Sequence, residues 1–122
     1  MITLNLSFLS KLLFFIFIVV IEYLATTSSE IKPIQDSWDK ANHFIAFLTL
    51  YVTLSFGYIK LEVVKKVVLL LAFGIQIECV QYFLANRDFS LLDIFADGIG
   101  IVLGVIIVKV LCSILDTEVR VY

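Results

Sequence analysis

The segment LLDIFADGIGIVLGVIIVKVLCSIL, Leu91 to Leu115, constrains this chain more than any other feature. A run of that length and apolar density is what a helix needs to cross about 30 Å of hydrocarbon. It nonetheless carries Asp93 and Asp97, four residues apart. A carboxylate at mid-bilayer costs about 2.5–3.5 kcal/mol on an insertion scale. Two acids in such a run need a compensating environment, and the rest of the sequence must supply it.

Composition places the whole chain in the same class. Hydrophobic residues make up 61% and charged residues 16% of the 122 positions, against about 45–50% and about 25% in soluble domains. Four apolar segments separate, at about 8–25, 43–59, 67–85 and 91–115. They predict an all-α polytopic membrane protein, a single domain over 1–122 with four transmembrane helices packed as a small bundle. In the first segment Lys11 and Glu22 can snorkel from either end, giving about 18 helical residues or about 27 Å. Lys11 before an apolar run also suits a signal peptide, but Glu22 and Tyr23 make a poor cleavage region. A polar stretch over 26–42 holds Pro33 and reads as a loop, with Asp36 or Ser37 capping a helix that starts near Trp38. The turn KLEVVKK and the link NRDFS join the remaining segments. The last, longest segment predicts tilt or a final turn that emerges beyond Lys109.

A net charge of −2 leaves no basic face for phosphates, so nucleic acid is excluded as a partner. Cys79 and Cys112 fall inside apolar runs and read as small hydrophobes. Lys11, Lys60, Lys65, Lys66, Lys109 and Arg120 fall on one side of the four spans. Lys32, Lys40 and Arg87, accompanied by Glu30, Asp36, Asp39 and Asp88, fall on the other. The positive-inside rule therefore puts both termini in the cytoplasm of a multi-pass protein of the cell (inner) membrane.

That topology gathers the polar residues. Asp39, Lys40 and His43 lie at the outer end of span two, Glu78 and Gln81 in the outer half of span three, and Arg87 in the following loop. Asp93 and Asp97 occupy the first two turns of span four. Asp39 with His43, Glu78 with Gln81, and Asp93 with Asp97 each share one helix face. In span four that face continues through Gly100 and Gly104, and small residues at such spacing let helices pack closely. Plainer roles exist beside these. Asp93 suits a helix N-terminus, His43 can serve as a structural hydrogen-bonding residue with Asp39 orienting it, and Arg87 can neutralise Asp88 or a lipid phosphate. Glu78, between Ile77 and Cys79, is the strongest functional candidate, since ionisable groups within spans mark function by default.

The pattern resembles the VanZ-like family of small bacterial membrane proteins. The resemblance rests on DKANHFIAF (Asp39 to Phe47), ECVQYF (Glu78 to Phe83), Arg87 and DIFADGIGIVLG (Asp93 to Gly104), in that order, and covers 38–104. The family usually has Asn where this chain has Asp97; a protonated Asp offers the same donor and acceptor. The family takes its name from a protein that lowers susceptibility to teicoplanin, so the resemblance implies a role in envelope defence.

Three functions fit these residues. A non-enzymatic envelope-modulating protein would hold the polar head group of a membrane lipid, a lipid-linked wall precursor or a lipophilic antibiotic. Lys40 and Arg87 would face its phosphate or carboxylate, with His43, Glu78, Gln81, Asp93 and Asp97 as the inner shell. A membrane enzyme would act on a lipid-linked phosphate or glycan, with imidazole and carboxylates as acid–base groups or ligands of a divalent ion. A proton-coupled transporter would need a homo-oligomer, because the inner halves of the spans are apolar. No spacing such as H-E-x-x-H is present, so no metal and no cofactor is expected.

Overall fold

The computed structural model describes residues 2–26, 32–84 and 90–115, with side chains over 6–26, 41–84 and 90–115. Four helices make up the described chain: α1 (Ile2–Thr26), α2 (Lys32–Gly57), α3 (Val63–Tyr82) and α4 (Leu91–Leu115). Two are long and apolar enough to cross a membrane, over Leu6–Thr26 and Leu91–Leu115, and Ala41–Gly57 is a shorter apolar stretch.

Cross-chain contacts fix the direction of each helix. Ser7 Oγ donates to the Gly57 carbonyl (2.9 Å), whereas Gln76 Nε2 donates to Glu22 Oε1 (2.9 Å) and Gln81 Nε2 to the Ala25 carbonyl (2.9 Å). So α1 runs against α2 and alongside α3. His43 meets Asp97 in the first half of α2 and Tyr51 meets Gly104 further along, which makes α2 and α4 parallel. The starts of α2 and α4 and the ends of α1 and α3 therefore lie at one end of the bundle.

α2 is the central element. Its Phe47, Leu50, Tyr51 and Leu54 are buried with Leu70 and Ile77 of α3 and Ile101, Val108 and Cys112 of α4. Close approach between α2 and α4 depends on two glycines. A Cβ at Gly104 would sit 2.8 Å from the Tyr51 Cβ, and one at Gly100 would collide with the Phe44 carbonyl. The outward faces remain apolar, with Phe8, Val19, Leu24, Val64, Leu91, Phe95, Val102 and Ile114 exposed. Such a surface suits a hydrocarbon solvent far better than water.

The helices extend past the apolar segments. The polar stretch over 26–42 does not run as a loop up to Trp38, because α2 already begins at Lys32. Pro33 then falls in the first turn, where its missing N–H breaks no helical bond. Lys65 and Lys66 belong to α3 and not to a basic turn, since α3 begins at Val63, with Glu62 extended at its N-cap.

Candidate functional site

The end shared by the starts of α2 and α4 and the end of α3 carries a buried polar cluster. Its construction begins at Ser90, which precedes α4. The Ser90 hydroxyl accepts the Asp93 N–H (3.3 Å), the bond expected of an N-cap to the third helical residue. The N–H of Ser90 itself donates to Glu78 Oε2 (3.0 Å). A carboxylate from α3 thus completes the cap of α4.

Glu78 is fully buried, and the bond to Ser90 fixes its carboxylate. Its second oxygen, Oε1, points toward His43 Nε2 at 3.7 Å and has no hydrogen-bond partner among the described residues. Asp93 Oδ2 stands 3.9 Å from the same nitrogen. Both separations are too long for hydrogen bonds but within ion-pair range. On the other side of the ring, the Nδ1–H of His43 donates to Asp97 Oδ1 across 2.7 Å. That bond selects the tautomer and leaves Nε2 directed at Glu78 and Asp93. Asp97 is also fully buried, and its Oδ2 lies where a Cβ on Gly74 would come within 2.5 Å. Gly74 therefore makes the space that Asp97 occupies.

Of the residues singled out in the sequence, His43, Glu78, Asp93 and Asp97 are brought together. Gln81 is buried at the same end but turns its amide to the last turn of α1, binding the Ala25 carbonyl and not the carboxylates. Gly100 and Gly104 lie on the same face of α4 as the two acids. Asp39 and Lys40 fall on α2 with their side chains outside the described residues, and Arg87 lies outside them entirely.

Other participants were not singled out. Ser90 is recognisable afterwards from the spacing S-x-x-D ahead of an apolar run. Gly74 leaves no signal, because its role depends on a residue of another helix. At the opposite end Lys66 is fully buried, donates to Ser55 Oγ (3.0 Å) and sits 5.2 Å from the centre of the Tyr51 ring. Adjacent to Lys65, it reads in sequence as part of a solvated turn.

A cleft of about 320 Å³ opens between α1 and α2, beside the cluster. Phe17, Ile21 and Leu24 of α1 face Ile45, Ala46 and Phe47 of α2, and His43 and Gln81 complete its wall. Its volume lies at the lower end of the range for small-molecule sites. A mostly apolar groove ending at a buried histidine offers a place for an amphiphile, with the tail in the groove and the polar portion at the ring. His43 held by Asp97 also has the arrangement of a general base and its orienting group.

The family model described as VanZ/LLP1 matches residues 2–112. The chain belongs to the VanZ/LLP1 family. The match includes α1 to α3 whole, most of α4, and all four residues of the cluster. No curated protein and no solved structure matches the chain. VanZ/LLP1 membership and two helices apolar enough to cross a bilayer are consistent with a membrane protein.

Proposed function

We propose that this VanZ/LLP1 protein crosses the cell membrane four times with both termini in the cytoplasm, and that it modulates the envelope by holding a polar head group at the outer end of its bundle. The head group belongs to a membrane lipid, a lipid-linked wall precursor or a glycopeptide or other lipophilic antibiotic, and binding it lowers susceptibility to such compounds. The observation that carries this reading is the apolar cleft whose wall includes His43, itself bonded to buried Asp97 and facing buried Glu78. Buried polar groups of this kind are retained where they have a task. The placement of Lys65 and Lys66 at the opposite end supports the orientation under the positive-inside rule.

Binding is measured with purified protein in nanodiscs, by native mass spectrometry against phospholipids, a lipid-linked wall precursor and teicoplanin. One of these classes is retained by the unaltered chain and lost by Glu78→Gln at equal folded yield. Equal retention by both forms would remove the cluster from binding.

A second reading is supported by the His43–Asp97 pair, which suits acid–base chemistry on a lipid-linked phosphate or glycan. Turnover of those lipids, abolished by His43→Gln, would establish it; unchanged lipid after prolonged incubation would exclude it.

A further inference from the structure

We infer that His43, Glu78 and Asp93 form a binding site for a divalent first-row transition ion, with Asp97 as the positioning residue that holds the histidine. One donor atom from each of the three residues lies within 4.8 Å of the others, and the residues come from three different helices. Four-coordinate ions take such ligands at about 2.0–2.2 Å, which puts donor atoms about 3.4 Å apart. The observed 3.7 and 3.9 Å from His43 Nε2 need only small rotations to close on an ion.

An observation independent of the grouping points the same way. Glu78 is fully buried, yet its Oε1, 3.7 Å from His43 Nε2, has no hydrogen-bond partner among the described residues. A buried carboxylate oxygen without a partner is costly, because it loses its water and gains nothing in return. A doubly charged ion would supply Oε1 with its missing partner.

The surroundings are those of a metal centre and not of acids that merely share a depth. The Nδ1–H bond from His43 to Asp97 is the carboxylate–histidine arrangement that fixes a ligating ring and leaves Nε2 toward the ion. Ser90 N–H does the same for Glu78 by binding Oε2 and leaving Oε1. An imidazole among the ligands favours a transition ion over Mg²⁺ or Ca²⁺. Three protein ligands leave a coordination position open, as in catalytic and ligand-binding centres. No local spacing announces this site, because each ligand comes from its own helix, and the sequence expectation of no metal rested on spacing. Ion binding is independent of which amphiphile the cleft receives.

The test uses the full chain in detergent, stripped with a chelator, desalted and offered Zn²⁺ or Mn²⁺, with bound metal read by mass spectrometry and thermal stability read in parallel. A single ion per chain is expected, with a raised Tm that chelation reverses. Glu78→Gln and Asp93→Asn lose stoichiometric uptake, and Asp97→Asn binds about 10–100-fold more weakly. Glu22→Gln, which alters an acid at the same end on α1, leaves uptake unchanged. No uptake of either ion, or uptake that survives in both Glu78→Gln and Asp93→Asn, overturns the site. Where those variants do not fold, Co²⁺ added to the unaltered chain gives the answer. Ligand-field bands displaced by Zn²⁺ support the site, and the spectrum of the free aquo ion overturns it.

Discussion

Asp97 shows how much one side chain can settle in an apolar bundle. Its Oδ1 holds His43, and its other oxygen occupies the space left by Gly74. An Asn at this position keeps a carbonyl that could accept the same Nδ1–H at the same distance. Asp97→Asn should therefore change stability by less than about 1 kcal/mol, whereas Asp97→Leu leaves a buried N–H unpaired at a cost of about 1–3 kcal/mol. Thermal unfolding in one detergent compares the two, and equal losses would mean that the bond to His43 contributes little. Gly74→Ala should act on Asp97 from the other helix, displacing its carboxylate and with it the ring. Nuclear magnetic resonance of the single histidine reads that displacement directly, and an unmoved imidazole signal would contradict it. At this scale the sequence was readable where a residue's chemistry was out of place in its segment, as with Glu78, Asp93 and Asp97. It was silent on Gly74 and Lys66, because a glycine in a span and a lysine beside another lysine look ordinary until the neighbouring helix is known.

Helix α4 is organised along one face. Asp93, Asp97, Gly100, Ile101, Gly104, Val108 and Cys112 are buried while Leu92, Phe95, Val102 and Ile106 point outward. Its glycines are not equivalent. A Cβ at Gly98 meets nothing within 4 Å, whereas one at Gly100 meets the backbone of α2. Gly98→Ala should leave stability unchanged or raise it by about 0.4–1 kcal/mol. Gly100→Ala should lower it by about 1–3 kcal/mol, because α2 and α4 must separate. Unfolding curves of the pair at matched detergent test this, and equal effects would contradict close packing at Gly100. The existence and period of the helices were legible from apolar runs and Gly spacing. Their ends were less so: Pro33 and its polar neighbours resemble a loop, yet α2 starts at Lys32, where a proline in the first turn breaks no helical bond.

For the molecule as a whole, up-and-down packing turns separate polar residues into one cluster. That convergence could be anticipated from the sequence, because alternating helix direction fixes which residues share an end. The cleft between α1 and α2 could not, since it depends on how far α1 stands off its neighbours. Orientation in the membrane is tested by introducing a single cysteine into a chain with Cys79 and Cys112 replaced by Ala. Asn42→Cys, exposed at the cluster end, should react with an impermeant thiol reagent in intact cells; Lys65→Cys, exposed at the other end, should react only after permeabilisation. The reverse pattern would invert the proposed topology. The measurement that bears most directly on function is growth of a deletion strain under a panel of envelope-targeting compounds, complemented with the unaltered chain or with Glu78→Gln at equal membrane abundance. Tolerance to teicoplanin or another lipophilic compound is expected to return with the unaltered chain and not with Glu78→Gln. Equal restoration by both would contradict a binding role for the buried cluster.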